Sequence, residues 1–207
     1  MASQRTYTEF AGLRPKTAAV YIESSKVAKG TTTGAAPLSE TPQEYIERIL
    51  GNVGEQDCLK VQAATPKRLE RLIRGQAGSK LRRQPTPGKW SVAEILAHLA
   101  DSEIVLGWRI RQILGAPGTP MQAYDQDSWA AAGHYAKRAA GKSLEQFRAV
   151  REANLALFKS LTPEQWKHYG LHAERGKETI EHIARLTAGH DINHTRQVER
   201  ILGVRTR

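Results

Sequence analysis

The sequence predicts an all-α protein, a four-helix bundle with a long connection between its second and third helices. Three observations carry this expectation. Ala, Leu, Glu, Lys and Arg are common while Val and the aromatics are sparse, a composition that favours helix. Apolar residues recur at three- and four-residue spacing in four regions bounded by capping signals. Neither a strand-like alternation worth naming nor an internal repeat is found. Four amphipathic faces bury one another most simply as a bundle.

The elements follow in order. Residues 1–40 hold no helical period and include Gly30-Thr-Thr-Thr-Gly34, so they read as a flexible, weakly basic N-terminal tail. The bundle domain is expected over residues 41–207. Thr41-Pro42 fits an N-cap followed by proline in the first turn, and Tyr45, Ile46, Ile49 and Leu50 follow at helical spacing. A second stretch carries Leu59, Val61, Leu69, Leu72 and Ile73, with Thr65-Pro66 as a kink or a restart; residues 41–73 together count as the first helical region. Gly75 to Gly88 reads as a loop. Ser91 and Glu94 form a capping box that opens a helix to about Leu114, and Gly115-Ala-Pro-Gly-Thr-Pro120 stops it. Ser143 to Gln146 reads as another capping box, opening a helix to about Leu161. Thr162-Pro163 starts a short helix, Gly170 to Gly176 is read as a loop, and a last helix runs from about Glu178 to Leu202, closed by Gly203.

Bulk properties exclude several function classes. The 31 basic against 21 acidic residues give a net charge of +10, but the basic residues are scattered among acids and no aromatics interleave with them, so nucleic-acid binding is disfavoured. The single cysteine, Cys58, rules out an intrachain disulfide and a Cys-based zinc motif. No apolar run approaches the ~20 residues of a membrane span and no signal peptide is evident, so a cytoplasmic location without membrane association is expected.

The chemistry concentrates in histidines. His190 and His194, four residues apart, share one helical face, a spacing that lets two imidazoles hold one metal ion. Ile183, Thr187, His190, His194, Gln197 and Ile201 form one stripe, so both imidazoles are expected to point inward with the apolar residues. Ile95, His98, Ser102 and Val105 form a similar stripe on the second helix. A lone inward histidine is an ordinary core residue; three on two inward stripes point to a metal site with an open position. The glutamate of the helical zinc-protease motif is absent, Asp191 standing in its place, so a protease is disfavoured.

Two segments extend this reading. Trp90-Ser-Val-Ala-Glu-Ile-Leu-Ala-His98-Leu-Ala-Asp-Ser-Glu103 and Ala188-Gly-His190-Asp-Ile-Asn-His194-Thr-Arg-Gln197 resemble the second-helix and last-helix signatures of the DinB-like superfamily, and the resemblance covers about residues 41–203. It implies an unusual four-helix bundle with one divalent metal at one end, held by His98, His190 and His194. Zinc, nickel, iron and manganese are not distinguishable from the ligand types.

Weaker candidates surround these three. Asp101 and Gln197 are candidates to orient a ligand or touch substrate, and Tyr124, Asp125 and Trp129 in the long 117–141 connection are candidates for a substrate pocket. Asp191 and Asn193 flank the ligand stripe and are given structural roles, and His172 is placed too far along the chain to ligate unless its loop folds back. The expected function is a metal-dependent transferase or hydrolase acting on a small molecule, with thiol S-transfer the better attested activity among relatives. The alternative is a non-catalytic, metal-stabilised binding or stress-associated module. A low-molecular-weight thiol is the expected partner, and a homodimer is compatible with the bundle.

Overall fold

A computed structural model describes residues 40–204; the predicted tail at 1–39 lies outside the described residues. The elements are α1 (Pro42–Val53), α2 (Cys58–Ile73), α3 (Gly78–Arg82), α4 (Val92–Gly115), β1 (Pro120–Met121), α5 (Gln126–Ala132), a 3-10 turn (Tyr135–Lys137), α6 (Ala140–Lys159), α7 (Pro163–Trp166), β2 (Tyr169–His172), β3 (Gly176–Thr179) and α8 (Ile180–Leu202). The four long helices α2, α4, α6 and α8 make the bundle, and α1 packs along α8. The closest pairs are α4 with α6, α6 with α2, α2 with α8, and α8 with α4. Consecutive long helices α2 and α4, and again α6 and α8, therefore stand across the diagonal. An up-and-down bundle would place them side by side.

Local chemistry fixes the helix starts. At α1 the Glu44 N–H donates to Thr41 Oγ1 at 3.2 Å and the Thr41 N–H to Glu44 Oε2 at 2.8 Å. Ser91 and Glu94 repeat the arrangement at α4, with 3.3 and 2.8 Å. At α8, Thr179 Oγ1 accepts from the His182 N–H, and Gly203 closes the helix in the left-handed region at φ 69°. The start of α6 differs from the sequence expectation. The helix begins at Ala140, Ser143 is buried inside it, and its N–H donates to the Ala139 carbonyl. Buried Ala140 belongs to the apolar core, and that packing extends the helix by a turn that the capping pattern does not announce.

A three-stranded sheet, ordered β1-β2-β3, stands where loops were expected. Its strands have two to four residues, too short to show alternation in sequence. β2 and β3 pair antiparallel from Tyr169 opposite Thr179 to His172 opposite Gly176, and β1 runs parallel to β2. The pairing folds the hairpin against the α4–α5 connection and brings His172 back towards α4.

The core is divided. One apolar cluster joins Leu69, Leu72, Val92, Ile95, Leu96, Leu99, Phe147, Val198 and Leu202; the other joins Leu106, Ile110, Ile113, Met121, Phe158, Ile180 and Ile183. Between them lies a buried polar layer centred on Arg151. Its guanidinium donates to Asp191 through Nη1 and Nη2, at 2.5 and 3.0 Å, and through Nη2 to Glu103 at 2.7 Å. Asn154 donates to Glu103 Oε1 at 2.8 Å. Pro66 lies within an unbroken α2, and because proline has no N–H the Gln62 carbonyl loses its helical donor. Arg151 Nη1 supplies one instead at 3.0 Å. The proline does not restart the helix; it frees an acceptor that ties α2 to α6. Gly189 makes a second close contact possible, since a Cβ there would overlap the Ile49 carbonyl oxygen where α1 meets α8.

Replacing Arg151 with Met leaves two buried carboxylates unpaired. We predict a loss of about 3–5 kcal/mol in stability, read by urea denaturation. A loss below about 1 kcal/mol would mean that the polar layer is not holding the helices together.

Candidate metal centre

The second and last helix stripes meet at the edge of the polar layer. His98 Nε2 lies 3.0 Å from His190 Nε2, which lies 3.1 Å from His194 Nε2. The three ligand atoms fall within 4.8 Å of one another. Two nitrogens bound to one tetrahedral ion at about 2.0–2.1 Å stand about 3.3 Å apart, so these separations resemble the edges of a coordination shell. Hydrogen bonding accounts for them less well. A neutral imidazole has one N–H and one lone pair in all, and His190 Nε2 would have to serve two neighbours from one position.

Burial sets the electrostatics. It holds His98 down at about 3, with the neighbouring His194 adding to the effect, and His194 down at about 4. His190 falls well below its ordinary value, first through burial and then through His194, His98 and Arg151. All three rings are therefore neutral at pH 7, the state in which imidazole binds metal. His194 Nδ1 lies 3.0 Å from Gln197 Oε1, which can only accept; the ring proton sits on Nδ1 and the Nε2 lone pair faces the cluster. The Trp90 ring packs on His98 at 4.9 Å between centroids. The donor set thus fits a divalent ion.

His98 and His190 line a cavity of about 510 Å³. The other sequence candidates fall into three groups. Gln197 contacts His194, as described. Tyr124 and Asp125 line the cavity: the Tyr124 hydroxyl lies 3.1 Å from Ser102 Oγ, and Asp125 caps α5 by accepting from the Asp127 and Ser128 N–H groups. Trp129 is exposed and packs its ring against Tyr124 at 4.5 Å between centroids, tilted by 33°. Asp101 does not orient His98. Its carboxylate is taken by the Tyr135 hydroxyl at 2.8 Å and by Arg138 at 2.9 Å, and the Ser102 hydroxyl lies 3.4–3.5 Å from the His98 ring nitrogens. Asp191 serves Arg151, and Asn193 Oδ1 accepts from Arg48.

Several residues at the site were not singled out from sequence. Arg151 interrupts the apolar spacing Leu144, Phe147, Arg151, Leu155, Phe158; a charge on an apolar stripe is the signal that was available. Arg109 lies on the His98 stripe, eleven residues on. His172 lines the cavity through the hairpin, which no sequence pattern revealed.

The depressed histidines make metal-free stability depend on pH. In the unfolded chain each imidazole titrates near 6.5; in the folded chain protonation waits until about 4 or lower. The unfolded state then binds more protons below pH 6.5, so stability is complete above that value and falls as pH drops towards 4. We predict that the denaturation midpoint of metal-free protein drops between pH 7.5 and 5, and that His98→Leu reduces the slope. A midpoint unchanged over that range would contradict the burial of neutral rings.

A family model for the DinB superfamily matches residues 62–198, more than half of the chain. No curated protein matches. Among solved structures the fold is similar to that of YfiT from Bacillus subtilis, described as a probable metal-dependent hydrolase with an unusual four-helix bundle topology. The TM-score is 0.64 at 21% sequence identity, covering 83% of this chain and 95% of that one. With the two signature segments, the diagonal helix order and the family match in agreement, the chain belongs to the DinB superfamily.

Proposed function

We propose that this chain is a metal-dependent enzyme. His98, His190 and His194 hold one divalent ion, and a small electrophilic substrate in the adjoining cavity is attacked by a low-molecular-weight thiol. The observation that carries this reading is the convergence of three neutral imidazoles, two of which, His98 and His190, line a cavity of about 510 Å³. A closed structural site would favour the non-catalytic alternative. An ion held by three imidazoles supplies Lewis acidity, bringing the pKa of a bound water or thiol towards neutrality.

The chain's own residues do the rest. Gln197 holds the His194 tautomer, and Trp90 packs against the His98 ring. Arg151 engages Glu103 and Asp191, the carboxylates beside the imidazoles, so neither is free as a general base. A thiol acidified at the centre needs no strong base, which favours thiol transfer over hydrolysis. Hydrolysis stands as the second reading because the fold is similar to a protein described as a probable metal-dependent hydrolase. No helix among the described residues is long and apolar enough to cross a membrane.

The test begins with metal content after purification without an affinity-tag metal. We predict about one ion per chain, lost in His98→Ala, His190→Ala and His194→Ala variants that still fold. Metal-loaded protein should then conjugate thiols to electrophiles faster than it hydrolyses esters or amides. Wild-type protein that takes up no zinc, nickel, iron or manganese would overturn the reading.

A further inference from the structure

The end of the cavity away from the histidines holds an unbalanced charge. Arg109, Arg175, Glu178 and His172 all line it. Arg175 is matched: its Nε and Nη2 donate to the two oxygens of buried Glu178 at 2.7 and 3.0 Å. Arg109 is not. Its Nη2 donates to the Gln122 carbonyl at 2.6 Å and approaches His172 Nε2 at 3.3 Å, and its guanidinium stands 5.9 Å from the Tyr124 ring. Among the described residues it has no carboxylate partner, and its Nε and Nη1 have no acceptor. His172 adds no charge, since burial and the two arginines hold it down at about 4. The other carboxylates of the lining are engaged or solvated: Glu40 pairs with Arg48, Asp125 caps α5, and Asp127 and Glu174 are exposed. A partly desolvated guanidinium without a counter-ion is costly in a folded protein unless something else supplies the anion.

Its placement relative to the histidines is regular. His98, Ser102, Val105 and Arg109 form one face of α4 and all line the cavity. Eleven residues span about 16 Å of helix axis, and both side chains lean towards the N-terminus, so only the longer reach of arginine shortens the gap and the guanidinium faces the imidazoles across roughly 10–16 Å. One free cation suits a monoanion; a phosphate dianion would call for a second, and Arg175 is already matched to Glu178.

We propose that Arg109 binds a carboxylate carried by the same small molecule that reacts at the histidine centre. It thereby selects substrates or thiols with an acid group on the order of 10–16 Å from the reacting atom. The proposal rests on the metal-centre reading for the reacting end and on Arg109 alone for the acid end.

The test separates the two ends. Cobalt-loaded protein is titrated with ω-mercaptocarboxylic acids of increasing chain length and with the matching ω-mercaptoalcohols, following the thiolate-to-cobalt absorption. A middle-length acid is expected to bind at least about tenfold tighter than its alcohol, as a charge-assisted pair would give. In Arg109→Gln that preference disappears while the alcohol binds as before, and Arg109→Lys keeps part of it. Equal affinity of acid and alcohol in the wild type, or an undiminished preference in Arg109→Gln, overturns the proposal. A second arm uses metal-free protein and hexanoate, with isothermal calorimetry as the readout. Binding to the wild type and not to Arg109→Gln supports the acid subsite even if cobalt fails to bind, and that failure would count against the metal-centre reading alone. No hexanoate binding to the wild type counts against the subsite.

Discussion

The structure depends on one buried guanidinium. Arg151 lies on α6 between two apolar clusters and reaches α4 through Glu103, α8 through Asp191 and α2 through the Gln62 carbonyl. All four long helices are thus joined through a single side chain. Such a buried ion network is weak evidence for net stability, because desolvating three charges offsets much of their attraction. Its effect is to specify arrangement: a helix that slid or rotated would strand a charge in the core. Burial pushes the Asp191 carboxyl up even against the pull of Arg151, a sign of how little water reaches the layer.

The same layer positions the chemistry. Asp191 precedes the second turn of the His190–His194 pair, so anchoring Asp191 fixes the rotation of α8 and with it both imidazoles. Glu103 does the same for α4 and His98. The diagonal helix order matters here, because it makes α4 and α8 neighbours although α6 separates them in sequence. A bundle with consecutive helices side by side would place those two ligand stripes across a diagonal. The small sheet adds a wall: pairing of β2 with β1 carries His172 to Arg109 and closes the cavity opposite the histidines.

Much of this was legible in the sequence, and the reasons are physical. The helix starts at Thr41 and Ser91 announced themselves because a cap is a local interaction between residues two or three apart. The histidine pair was legible because helical spacing is a local rule, and inward stripes place the third imidazole without knowledge of the fold. What escaped detection depends on contacts distant in sequence. The strands are too short to alternate, Asp101 finds Tyr135 and Arg138 only through the fold of the connection, and the start of α6 is set by the packing of Ala140. Arg151 left a trace, a charge in an apolar stripe, but its partners lie 40 to 89 residues away.

The central claim is that three imidazoles from two helices, and no other side chain of this protein, ligate one ion. X-ray absorption at the zinc edge, on zinc-loaded protein free of added thiol, tests it most directly. The account predicts three imidazole nitrogens at about 2.0–2.1 Å completed by one oxygen. A shell with fewer than three imidazoles, or with sulfur from Cys58, would contradict it.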